Sequence, residues 1–172
     1  MNADELRHLQ APLKARYKED PTAALATLRS VGRVEQSTLT CVLESGKPGV
    51  PAGLHPAVGG DGSAACSGDM LLEALVACAG VTLASVATAM GIDLLGAKVV
   101  VEGELDFRGT LGVSREAPVG FTSLDCCFEI EADAPVEKLH KLVELTERYC
   151  VILQTLKHSP TLSLRILTPN SK

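Results

Sequence analysis

Six cysteines are the residues of this 172-residue chain best suited to covalent chemistry: Cys41, Cys66, Cys78, Cys126, Cys127 and Cys150. A thiolate is a nucleophile, and two thiols that meet can cycle through a disulfide. Their spacing argues against a metal, because the chain has no CxxC, no HExxH and no histidine pair one helical turn apart. Cys126 and Cys127 are neighbours on a candidate strand, so their side chains point to opposite faces and do not easily share an ion. Those two and Cys41 read as small apolar fillers.

The other three sit in more informative surroundings. Cys78 lies inside Leu72-Glu73-Ala74-Leu75-Val76-Ala77-Cys78-Ala79-Gly80, where read alone it is a helix-packing thiol. Cys150 closes an amphipathic stretch in Arg148-Tyr149-Cys150-Val151-Ile152. If a new helical turn starts at Val151, its free amides favour a thiolate at Cys150. Cys66 precedes Ser67 and stands to gain the same help from the helix that follows. His55 lies in a Gly-rich loop and is a candidate to line a site with Cys66; His8, His140 and His158 sit among polar neighbours and read as surface residues. Gly59-Gly60-Asp61-Gly62 lacks the spacing and the lysine of a phosphate-binding loop. No Ser-His-Asp signature is present.

The elements that must hold these residues follow from periodicity. Leu6, Leu9 and Leu13 mark a helix over 2–17, and Pro21 starts a short second one to about Leu28. Arg33 to Leu43 reads as a strand. Ser45 to Ala65 holds six Gly and three Pro and reads as one long loop. The run from Met70 to Ala89 is apolar nearly all round, with Ser67 as the expected N-cap and Gly91 as the stop. It is long enough to span a bilayer, but it is rich in small residues, carries Glu73 and lacks flanking aromatic or basic belts, so a buried central helix is expected. Lys98–Phe107 and Phe121–Ile130 alternate as strands with one wet face, joined as a hairpin through Arg108–Gly120. Asp133 is the expected cap of a helix over 134–149, and Thr161 to Leu167 reads as a last strand.

Composition narrows the class. With 46% apolar residues, 22% charged residues and a mean hydropathy of +0.20, the chain is a folded globular protein of one domain's size. A net charge of -5 and only 3% aromatic residues argue against a nucleic-acid partner. The polar start Met1-Asn2-Ala3-Asp4-Glu5 is no secretory signal, so reduced thiols in the cytoplasm are expected. The element order gives an α+β class. One sheet face cannot cover a helix that is apolar on every side, so a second subunit is the economical cover.

The apolar helix carrying Cys78, followed 72 residues later by Glu147-Arg148-Tyr149-Cys150 with Gln154-Thr155-Leu156, resembles the OsmC/Ohr family of osmotically inducible and organic hydroperoxide resistance proteins. Ser67-Gly68-Asp69-Met70-Leu71-Leu72 and Ala89-Met90-Gly91-Ile92 carry the resemblance further. It divides the chain into an N-terminal helical extension over 1–30 and an OsmC-like domain over 31–168.

The resemblance implies an intertwined homodimer with antiparallel sheets packed around a buried central helix. It implies Cys78 as the peroxidatic nucleophile and Cys150 as the resolving thiol. The substrate is then a small organic hydroperoxide and the reductant a dithiol, with no cofactor, no metal and no membrane. The hydroperoxide branch of the family tunes its thiolate with an arginine held by a glutamate ten residues before the first cysteine. Gly68 stands at that position here, and Val151 stands where the family usually has proline. Arg33 is the favoured guanidinium, ahead of Arg29 and Arg16, with Glu73 or Asp69 beside it. The missing glutamate favours a second reading, a non-catalytic dimer that binds a small apolar ligand in the interfacial pocket. A third places catalysis at Cys66 with His55 under the Gly-rich loop.

Overall fold

A computed structural model describes residues 2–27, 32–35, 40–43 and 50–167, with the two short segments at 32–35 and 40–43 described as backbone only. Helix α1 spans Ala3–Glu19. Its start is a reciprocal cap: the Asn2 side chain accepts from the Glu5 amide at 2.9 Å while the Glu5 carboxylate accepts from the Asn2 amide at 2.8 Å. A single 3-10 turn over Pro21–Ala24 follows, shorter than the expected second helix. Asp20 caps it and Pro21 opens it, but only four residues continue the turn.

Strands β1 (Gly32–Glu35), β2 (Thr40–Leu43), β3 (Pro51–Gly53) and β4 (Ala65–Cys66) form one sheet in chain order. The first two pairings are antiparallel and β3 to β4 is parallel. The expected long loop therefore contains two short strands and a 3-10 turn over Pro56–Val58. Those strands are too short to show any alternation, which is why composition alone reads as loop.

Helix α2 (Ser67–Met90) is the long apolar element. Cys66, not Ser67, is its N-cap, and Gly91 ends it in the left-handed conformation at φ 65°. Leu75, Ala79, Leu83 and Ala87 form a fully buried stripe at four-residue spacing. The opposite side is open, and Val81 is 70% exposed. One chain covers one face of this helix, not all of them.

Strands β5 (Leu94–Leu105) and β6 (Phe121–Ala132) pair antiparallel, with Val101 opposite Cys126 and Val99 opposite Phe128. The first strand ends sooner than its alternation indicates, because Asp106 accepts from the Arg108 amide and starts the short helix α3 (Phe107–Thr110). Helix α4 (Val136–Tyr149) begins at Pro135, which makes no side-chain cap, so Asp133 does not cap it. Proline has no N–H to leave unpaired and suits that position. Helix α5 (Val151–Lys157) completes the fold.

Two packed clusters hold these layers together. Leu83, Ala87, Ile92 and Leu142 join α2 to α4, with Phe128 and Ile130 of β6 against them. Leu75, Ala79 and Cys150 form the other, with Val99, Val101, Phe128, Ile152 and Leu153 around it. The expected last strand does not form: Leu162, Leu164, Ile166 and Leu167 are each at least 85% exposed and the segment pairs with no described strand. Alternation marks which side chains belong together, but a strand needs a hydrogen-bonding neighbour, and among the described residues this segment has none.

Candidate functional site

Cys150 sits at the elbow between α4 and α5. Its N–H donates to the Thr146 carbonyl at 2.9 Å, ending one helix, and its carbonyl accepts from the Gln154 amide at 2.9 Å, starting the next. Gln154 Nε2 then donates to the Glu147 carbonyl at 2.8 Å, and Lys157 pairs with the Glu147 carboxylate. These bonds fold α5 back on α4 and fix the sulfur. Cys150 is fully buried, at 0% exposure.

Cys78 comes to it from α2. It is half-buried and packs on the cluster that contains Leu75, Ala79 and Cys150. Its carbonyl accepts from Thr82 Oγ1 at 2.7 Å. Helix packing thus brings together two cysteines far apart in the chain, near enough for each to influence the other's ionisation.

The two thiols are shifted in opposite directions. Burial pushes Cys78 up, but the Ile152 amide, the Cys150 thiol, the Val151 amide and Thr82 together pull it below the ordinary thiol value. Burial pushes Cys150 up; the Leu153 and Ile152 amides offset part of this, and the bond with Cys78 and the charge there add to it. The amides at the start of α5 therefore leave the thiolate on Cys78 rather than on Cys150. A free helix start at Val151 was legible in the sequence; which sulfur would profit from it depends on how α5 packs on α2. The arrangement is chemically asymmetric: one thiol is readily ionised and its partner holds a proton beside it.

The remaining expected residues lie elsewhere. Asp69 and Glu73 are exposed on α2. Arg16 is exposed on α1, Arg33 belongs to β1 with its side chain outside the described residues, and Arg29 lies outside them altogether. Among the described residues, the groups that lower Cys78 are peptide, hydroxyl and thiol donors. His55 and Cys66 do share a cavity, of about 270 Å³, with Gly68, Phe107 and Phe121. The His55 ring stacks on Phe107 at 4.8 Å, and its Nδ1 accepts from the Ala57 amide at 3.0 Å. The Cys66 sulfur accepts from the Gly68 amide at 3.4 Å as the helix cap. Twelve residues of helix separate Cys66 from Cys78, about 18 Å along the axis, so the two cysteines stand at different places.

A larger cavity of about 670 Å³ opens between α2, β6, α4 and α5. Leu71, Leu75, Phe121, Phe128, Val143 and Leu153 give it mainly apolar walls, with Glu147 and Lys157 among the polar residues there. Cys126 also faces it. Residue patterning places Cys126 on the inward face of its strand with Leu124, Phe128 and Ile130, yet as one of two adjacent cysteines it reads as filler. Its neighbourhood is visible only once β6 is laid against α2.

A mixed α+β fold with one long apolar helix, and a paired cysteine at the start of a short following helix, define a class of thiol protein. The family model for OsmC-like proteins matches residues 60–165, more than half of the chain, and the chain belongs to that family. No curated protein sequence matches it. Among solved structures it is similar to an OsmC-like protein from Mycoplasma pneumoniae, at 14% identity and a TM-score of 0.66, covering 78% of this chain and 89% of that one. It is similar to an organic hydroperoxide resistance protein OsmC from Legionella pneumophila, at 15% identity and 0.58, covering 78% and 93%. It is also similar to the organic hydroperoxide resistance protein OhrB of Bacillus subtilis, at 18% identity and 0.52, covering 79% and 94%. At such identities the likeness is one of fold.

Proposed function

We propose that this protein is a cysteine-based organic hydroperoxide reductase working in the cytoplasm as a homodimer. The observation that carries this reading is the contact between Cys78 and Cys150, with the first thiol acidified and the second held protonated. The Cys78 thiolate attacks the terminal oxygen of a hydroperoxide, breaking the O–O bond. The alkoxide leaves, takes a proton and departs as alcohol, and Cys78 becomes a sulfenic acid. The Cys150 sulfur then attacks the Cys78 sulfur and displaces hydroxide, which leaves as water. One peroxide has been reduced and two thiols oxidised to one disulfide, which an external dithiol returns to the thiol state by exchange. Arg33, Glu73 and Asp69 remain candidates for tuning the thiolate, and His55 and Cys66 for lining a neighbouring pocket.

The homodimer is supported by surface that a single chain leaves bare. The outer side of α2 exposes Val81, and the segment from Thr161 to Leu167 carries exposed apolar side chains. A second copy that lays such a segment on a sheet edge satisfies both its backbone and its apolar side chains.

The mainly apolar 670 Å³ cavity favours one other reading, a dimer that binds a small apolar ligand without turning it over. Steady-state consumption of cumene hydroperoxide with dithiothreitol separates the possibilities. Loss of turnover in Cys78→Ser and Cys150→Ser, but not in Cys66→Ser, is expected. Turnover lost only in Cys66→Ser moves the chemistry to His55 and Cys66. Absent turnover in wild type, with a fluorescent fatty acid still bound, supports the ligand carrier.

A further inference from the structure

We propose that helix α1 forms a wall of the substrate site and that Lys14 on it selects organic hydroperoxides that carry a carboxylate. The ground is a cleft of about 520 Å³ between α1, α2 and α4, large enough for a small organic molecule. Thr82, Ser85 and Ala89 of α2 line it, and they follow Cys78 at steps of four, three and four residues. Such steps keep to one face of a helix, so Cys78 is the next side chain of that row, about 6 Å along the axis from Thr82. Thr82 joins the two, because it lines the cleft while its Oγ1 donates to the Cys78 carbonyl at 2.7 Å. Tyr149, the neighbour of Cys150 in the chain, lines the cleft too. Cys78 is part-buried rather than sealed, which leaves the residue open to approach.

The facing wall comes from α1 through Leu6, Gln10 and Lys14, spaced four residues apart on one side of that helix. This helix lies outside residues 60–165, so the wall is no part of the stretch that matches the family model. Among the described residues, Lys14 is the one charged side chain lining the cleft, and it has no carboxylate partner. Its neighbours one turn away on α1 are Gln10, Ala11, Tyr17 and Lys18, none of them acidic. On the α4 side, the Arg148 guanidinium lies over the Tyr149 ring at 5.5 Å and adds positive charge near the cleft. Glu144, beside Leu145 in α4, is held by Lys141 at 2.7 Å. Apolar walls from Val86, Met90 and Leu145, with an uncompensated ammonium beside them, suit an apolar body bearing one anionic group. A carboxylate is such a group, and pairing it with Lys14 leaves the hydroperoxide end free to face Cys78. Val81 lines the cleft as well, so the second copy proposed for that face borders the site.

The substrate class rests on the peroxide chemistry proposed for Cys78; the cleft does not. The test compares cumene hydroperoxide bearing a para-carboxylate with its methyl ester, using full-length protein and dithiothreitol. The ratio of kcat/KM for acid over ester is expected to fall about two- to fivefold in Lys14→Gln, the size of an exposed charge interaction. It should return in Lys14→Arg and stay at the wild-type value in Lys138→Gln, a change on α4 outside the cleft. The loss should lie in KM and shrink in about 1 M salt. An unchanged ratio in Lys14→Gln, as when a partner fills the cleft, or an equal fall in Lys14→Arg or Lys138→Gln, overturns the proposal. Calorimetry with 4-isopropylbenzoate, which has the carboxylate and no O–O bond, keeps the two readings apart. Wild type that binds it about two- to fivefold more tightly than Lys14→Gln does, yet consumes neither peroxide, overturns the peroxide reading and keeps the cleft as a carboxylate site. Peroxide turnover with binding indifferent to Lys14 overturns the cleft and leaves the peroxide reading standing. Neither binding nor turnover overturns both.

Discussion

At the scale of single residues, the site is a pair of sulfurs whose acidities are set apart by their neighbours. Burial alone raises both; the donors of α5 and Thr82 reverse the sign at Cys78 only. For an acid with a lowered pKa the reactive, ionised fraction grows through that lowered value, so iodoacetamide alkylation of Cys78 should reach its plateau at a lower pH than for a free cysteine near 8.5. Replacing Cys150 by Ala removes one of the lowering influences, and the alkylation profile should move to higher pH. Movement to lower pH, or none, contradicts this electrostatic picture. That these two cysteines come together was legible from the family resemblance. Their opposite shifts were not, because they depend on which sulfur the first amides of α5 face. The cavity beside Cys126 was hidden for the same reason: alternation points that residue inward, but only packing shows what lies there.

At the scale of elements, the folding devices are helix stripes, caps and close strand contacts. Leu142 is 0% exposed where α4 meets α2, so Leu142→Ala should cost about 2–5 kcal/mol, read as a lowered midpoint in urea. Gly109 lies where an added Cβ would come within 2.3 Å of the Pro118 carbonyl oxygen, so Gly109→Ala should disturb the turn between β5 and β6. Amide exchange confined to 106–120 is the expected signature; unchanged exchange there means the turn relaxes freely. Long, strongly periodic segments were readable to within a few residues, as in α1, α2, β6 and α4. The 3-residue β3 and 2-residue β4 were not, because such strands are made by their neighbours rather than by their own pattern. Caps were misplaced by a residue or two at Cys66 and Pro135, where a sulfur and an imide took positions that oxygen side chains favour.

At the scale of the whole molecule, the chain has more apolar surface than it covers. Val81 on α2 and the leucines of the segment 161–167 are examples. The all-round apolar character of α2 was readable in the sequence, and the segment after α5 pairs with no strand among the described residues. Sedimentation equilibrium should give twice the 18.0 kDa chain mass. Val81→Asp should shift the distribution toward monomer by placing a charge in the proposed interface. A wild-type monomer at micromolar concentration, or a Val81→Asp dimer of unchanged stability, contradicts the assignment of that face.

The central claim is that Cys78 and Cys150 act together on a peroxide, and a single-turnover thiol count tests it most directly. Reduced protein, given one equivalent of cumene hydroperoxide and no reductant, should lose two thiols per chain as one alcohol is released. Cys150→Ser should instead lose one thiol and trap a dimedone-reactive sulfenic acid on the Cys78 peptide. Full retention of thiols in wild type, or a sulfenic acid trapped on a cysteine other than Cys78 in the variant, would contradict the account.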